Sequence, residues 1–169
     1  MFPLVNTRLS SYNVAMLLEQ KIAQLLIQKN KTLAVAESCT GGLLANRLTN
    51  ISGSSDYLEG GFIVYSNASK IKLLKISPAA IKNNGAVSDV VAQAMAASVR
   101  KILKTNFGVA ITGIAGPTGG SKTKPVGLTF IAVATSQQIL CKKFIFKGSR
   151  LQIKSQAATQ ALQLLLSLV

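Results

Sequence analysis

The chain has 169 residues, enough for one domain with a good core, and 49% hydrophobic against 14% charged residues exclude disorder. The net charge of +14 attracts polyanions, but the lysines are scattered and aromatics make up only 5%, which argues against a base-stacking nucleic-acid platform. There is no histidine, and Cys39 and Cys141 match no metal spacing, so the donors exclude a zinc site, metal-activated water and His-based triads.

The elements are expected in the order α-β-α-β-α-α-β-β-β-α. An amphipathic helix begins near Asn13, with Val14, Leu17, Leu18, Ile22, Leu25 and Leu26 at helical spacing and Asn30 as its stop. "TLAVAES" (Thr32–Ser38) reads as a short strand, and "CTGGLLANRLTNIS" as a turn feeding a helix. "GGFIVYSN" (Gly60–Asn67) is a strand rich in β-formers. "NASKIKLLKIS" is a helix capped by Ser66 or Asn67, and Pro78 starts a short segment ending at "NNG". Ser88 caps the next helix, with Asp89 at its positive end and Arg100, Lys101 and Lys104 at its negative end. "FGVAITG" is a buried strand, followed by a glycine-rich loop. "VGLTFIAVAT" and "QILCKKFIF" form an antiparallel pair. A helix from Arg150 to Leu168 buries Ile153, Ala157, Ala161, Leu164 and Leu168 along one stripe. This order implies a mixed sheet covered on both faces. No apolar run approaches the ~20 residues that cross a bilayer. "MFPLVNTRLSSYN" lacks the charged start, apolar block and cleavage site of a secretory signal. One cytoplasmic domain over residues 1–169 is expected.

Three polar segments invite chemistry. In "ESCTGG" (Glu37–Gly42) a strand-to-helix turn offers N–H groups and a helix dipole to an anion, with Ser38 and Thr40 adding hydroxyls. A tight turn capped by Thr40 accounts for the same residues and is favoured on spacing alone. "TGIAGPTGG" (Thr112–Gly120) has glycines enough for backbone to approach a ligand; an ordinary surface loop is the competing reading. "GSSDYLEGGFIVYSNASK" (Gly53–Lys70) opens on two serines and closes on a lysine. A serine needs a base to become a nucleophile, and a lysine in the first turn of a helix is disfavoured as a cation and eased toward the neutral amine. A capped turn and a surface lysine account for the same residues and are favoured on spacing alone.

Taken in order, "AESCTGG", "GSS", "GGFIVYSNASK", "GAVS", "TGIAGPTGG" and "KPVG" closely resemble the C-terminal domain of the competence-damage-inducible CinA proteins. The stand-alone members of that family are nicotinamide mononucleotide (NMN) amidohydrolases. The resemblance implies a three-layer α/β/α sandwich with a mixed, mostly parallel five-stranded sheet. It also implies metal-independent, cofactor-free hydrolysis of NMN to nicotinate mononucleotide and ammonia, in pyridine nucleotide salvage. By motif match it assigns a Ser-Lys dyad to Ser55 and Lys70, with Tyr65 in the same constellation and Ser54 as the neighbouring alternative to Ser55. It puts Ser38, Thr40, Gly41, Gly42, Asn67, Thr112, Gly113, Gly116 and Arg150 around the substrate, and implies a homodimer. The sequence departs from the family at Thr118, where an acid is common, in the basic "SKTKP" loop, and at Lys154, where a second arginine is common. These departures bear on phosphate affinity and substrate choice. Competing readings are a non-catalytic CinA-like domain that binds a nucleotide or partner protein, a nonspecific nucleic-acid binder, and an amidase for a different pyridine nucleotide.

Overall fold

The computed structural model describes residues 10–169, with side chains from Leu18 onward. The stretch before Ser10, and the side chains of Val14 and Leu17 in the expected stripe, lie outside the described residues. The elements run α1 (Ser10–Gln28), β1 (Leu33–Glu37), α2 (Leu43–Thr49), a short turn of 3-10 helix (Ser54–Asp56), β2 (Leu58–Ile63), α3 (Asn67–Leu74), α4 (Pro78–Asn84), α5 (Asp89–Ile102), β3 (Phe107–Gly113), β4 (Leu128–Ala134), β5 (Ile139–Ile145) and α6 (Arg150–Leu166). The segment opened by Pro78 is a helix in its own right: proline stands at its start, where a missing N–H loses nothing. β2 begins and ends earlier than its β-forming residues suggest, because Ser66 accepts from the Ser69 N–H and starts α3. Asn30, at φ 49, ends the first helical run.

The five strands lie in the order β2-β1-β3-β4-β5. β1 is parallel to both β2 and β3, and β4 is antiparallel to β3 and β5, so one strand of five opposes the rest. This is the mixed α/β architecture expected from the sequence.

Alternation along the strands sorts the two faces. Leu33, Val35, Val109, Ile111, Ile131 and Val133 point into a core closed by α1, α2 and α6. Ala34, Ala36, Ala110, Ala132 and Ala134 point the other way, toward α5. Small residues let α5 come close: a Cβ on Gly108 would lie 2.2 Å from the Ala96 carbonyl oxygen. On the first face, Arg47 of α2 ties α1 to α6 by donating to Glu19 at 2.6 Å and to Thr159 at 2.7 Å.

The chain leaves β1 toward β2 on one side and returns to β3 on the other. The carboxyl ends of β1 and β3 therefore flank a crevice, the place where open α/β sheets bind ligands. Among the described residues, no helix is long and apolar enough to cross a membrane.

Candidate active site

The period-2 rule continues past the end of β1 and separates two neighbours. Glu37 has the parity of Leu33 and Val35, so its carboxylate falls on the α2 side. There it accepts from the N–H groups of Gly42, Leu44 and Ala45 at 3.0, 3.1 and 2.8 Å. Ser38 has the parity of Ala34 and Ala36 and falls on the opposite side, where α3 packs. Thr112 follows Ala110 by two residues and falls on that side as well, donating to the Ala86 carbonyl at 2.8 Å.

Lys70 occupies the first turns of α3 and is only 1% exposed. Its Nζ lies 2.9 Å from Ser38 Oγ, 2.7 Å from the Val64 carbonyl oxygen and 3.4 Å from that of Tyr65. Among the described residues the one ion pair is Arg47–Glu19, so no carboxylate holds the Lys70 charge. Burial, which strips water from the ammonium, pulls its pKa below the ordinary lysine value; the nearby Cys39 opposes this weakly. The three N–H groups of the ammonium meet these three acceptors, and the amine once neutral keeps a donor for each carbonyl and a lone pair for the Ser38 hydroxyl.

This pair lies in a cavity of about 260 Å³, a little under the usual range for ligand sites. Of the candidate site residues, Ser38, Lys70, Tyr65, Asn67, Thr112, Gly113, Gly116 and Arg150 line it. Cys39, Ala86, Val87, Thr118 and Gly119 complete much of the wall. Arg150 begins α6 and spans the rim, donating from Nη1 to the Gly116 carbonyl and from Nη2 to the Tyr65 hydroxyl, each at 2.7 Å. Lys124 fixes the 84–87 loop from outside by donating to the Asn84 and Val87 carbonyls at 2.7 and 2.8 Å. The Cys39 thiol is pushed up to about 11, chiefly by burial, and is neutral beside Ser38.

Other expected site residues lie elsewhere. Ser54 and Ser55 sit in the 3-10 turn before β2, whereas Lys70 reaches the carbonyls just after β2. The strand between them spans about 20 Å at ~3.3 Å per residue. Neither serine bonds Lys70 or lines the cavity. The hydroxyl beside Lys70 is that of Ser38. Thr40, Gly41 and Gly42 are outside the cavity wall too. The anion at the start of α2 is the chain's own Glu37, so this turn has little left to offer a phosphate. Glu37 is the residue that sequence reasoning missed. Its signal was an acid at a strand end, a few residues before a glycine-led helix start. Among the described residues, no three His, Cys, Asp or Glu side chains gather as metal ligands.

The family model for the CinA C-terminal domain matches residues 16–169. A Moorella thermoacetica protein named for competence-damage induction is 50% identical over 148 residues, covering 88% of this chain and 36% of that protein. A CinA-like protein of Syntrophus aciditrophicus is 48% identical over 149 residues, with the same two coverages. The chain thus spans just over a third of the length of these relatives. The crystal structure of the competence/damage inducible protein CihA from Agrobacterium tumefaciens superposes with a TM-score of 0.89 at 36% identity, covering 91% of this chain and 94% of that one.

Proposed function

The chain belongs to the CinA C-terminal domain family, and from that premise we propose that it hydrolyses the carboxamide of NMN, with Ser38 as nucleophile and Lys70 as its base. One observation carries this reading: a buried lysine amine with no carboxylate partner among the described residues sits 2.9 Å from a serine hydroxyl inside a cavity of about 260 Å³. That is the arrangement a Ser-Lys nucleophile needs in a chain without imidazole.

Neutral Lys70 takes the Ser38 proton as Oγ attacks the carboxamide carbon. The resulting ammonium gives that proton to the departing nitrogen, the C–N bond breaks, and ammonia leaves. Water then attacks the acyl-serine. Lys70 takes a water proton and returns it to Ser38 Oγ as nicotinate mononucleotide is released. The positive charge of the pyridinium ring makes the carboxamide more electrophilic, which helps a modest nucleophile.

Arg150 is the cation at the cavity rim, where the 5′-phosphate would meet it. Two of its N–H groups are engaged, leaving the others for an anion. Thr112, Asn67 and the glycine loop suit the ribose. The proposal calls for no metal or cofactor, takes a pyridine nucleotide as its partner, and includes a cytoplasmic homodimer in nucleotide salvage.

The test is direct. Purified protein is incubated with NMN in excess chelator, and ammonia and nicotinate mononucleotide are followed together. Stoichiometric appearance of both supports the reading. NMN that binds and is recovered intact leaves a nucleotide-binding domain without turnover.

A further inference from the structure

An acyl-transfer site needs a donor for the oxygen that becomes negative when the nucleophile adds. We infer that the backbone N–H of Cys39 is that donor. The inference rests on the amidase reading above and deepens it.

The turn after β1 accounts for nearly all of its N–H groups. Ser38 N–H donates to the Ile111 carbonyl at 3.0 Å, Gly41 N–H to the Ser38 carbonyl at 3.1 Å and Leu43 N–H to the Thr40 carbonyl at 3.4 Å. Those of Gly42, Leu44 and Ala45 go to Glu37. The Cys39 N–H meets no acceptor among the described residues beyond its own sulfur, although Cys39 is only 6% exposed. A backbone N–H with no oxygen acceptor, on a residue that lines the cavity, is available to a ligand. The Thr40 N–H is also unpaired, but Thr40 does not line the cavity, whereas Cys39 does.

The direction follows from the peptide plane. The Ser38 carbonyl is turned toward Gly41 and the start of α2. In a trans peptide the N–H points the opposite way from the carbonyl, so the Cys39 N–H is turned off α2. A carbonyl carbon bonded to Ser38 Oγ brings its oxygen to the N–H of the next residue. Strand-to-helix nucleophile turns use this same donor. Glu37 contributes by occupying the competing N–H groups and fixing the turn. The neutral Cys39 thiol puts no negative charge where the oxyanion forms.

The test changes one backbone atom in the full chain. Position 39 is supplied as the α-hydroxy analogue of cysteine, which converts the Ser38–Cys39 amide to an ester and removes the N–H. Expected is a fall in kcat on NMN of about 10²–10³-fold with KM nearly unchanged. The ester also weakens the Ser38 carbonyl as an acceptor. Glycolate at position 41 is therefore the companion variant: it deletes the Gly41 donor to that carbonyl and leaves the Cys39 N–H in place, and its kcat should stay within about tenfold of wild type. A position-39 ester within about threefold of an active wild type overturns the donor and leaves the amidase reading standing. So does a position-39 ester that fails to fold while the position-41 variant folds, because the N–H then holds structure rather than substrate. A wild type that releases no ammonia overturns the amidase reading, and the donor falls with it.

Discussion

The molecule carries two serine-bearing turns at opposite ends of its parallel strands. Ser38 follows β1, on the crevice side of the sheet. Ser54 and Ser55 precede β2, among groups that close the fold. There the Tyr57 hydroxyl donates to the Leu48 carbonyl at 2.6 Å, the Asp56 N–H donates to Gly53, and the Tyr57 N–H donates to Ser54. Both turns are polar and glycine-bearing, so composition does not distinguish them. Their position relative to strand direction does: the carboxyl ends of the strands at a switch point make the crevice, and the amino ends do not.

The sharpest way to break this comparison is to remove each hydroxyl in turn. Ser38→Ala should lower NMN turnover by about 10³-fold or more, since a nucleophile has no substitute. Ser55→Ala should leave turnover within about twofold, as a surface change away from the site. Steady-state kinetics on both proteins decides it. If the two outcomes are reversed, the strand-end argument is wrong and β2 must move for Lys70 to reach its partner.

Lys70 sharpens the same contrast through charge. Lys70→Arg keeps a cation that cannot lose its proton, and Lys70→Met keeps a buried chain without the amine; neither should turn over NMN. Wild-type kcat/KM should rise as pH climbs through the lowered Lys70 pKa, because the base acts when neutral. Stability should rise in the same direction. Between the lowered folded value and the ordinary lysine value of 10.5 the unfolded chain binds more protons, so higher pH favours the folded state. Below that window Lys70 imposes its full penalty, and Lys70→Met removes it. Melting curves across pH should show a flatter dependence for Lys70→Met and a melting temperature at neutral pH no lower than wild type.

The fold was more legible than the site, for a physical reason. Elements are local: "FGVAITG" and the helix after Ser88 carry their apolar pattern and caps within a few residues. Lys70 was only half legible: its place in the first turns of a helix is a local oddity, but the residues alone read equally as a surface lysine, and the family resemblance singled it out. Its partner was not legible. Ser38 lies 32 residues away and meets Lys70 only because β1 and β2 pair in parallel with a fixed register. A motif match along the chain favoured the serine nearer in sequence. The role of Glu37 was hidden by the same limitation: its three bonds depend on which face α2 covers.

The smallest expected effect tests the structural half of the comparison. Tyr57 is fully buried, and its hydroxyl bonds the last turn of α2 next to the Ser54–Asp56 turn. Burial raises its pKa above the usual phenol value, so it is a neutral donor throughout the working pH range. Tyr57→Phe removes that donor and keeps the ring. The Leu48 carbonyl retains backbone donors from Asn50 and Ile51, so it is not left bare. The loss should therefore be about 1 kcal/mol, the net worth of one neutral hydrogen bond. In a chain of this size that is a fall of roughly 2–4 °C in melting temperature. NMN turnover at 25 °C should not change, because the turn before β2 holds the sheet together and takes no part in the crevice. A Tyr57→Phe protein that melts normally but loses turnover would instead tie the amino end of β2 to the chemistry.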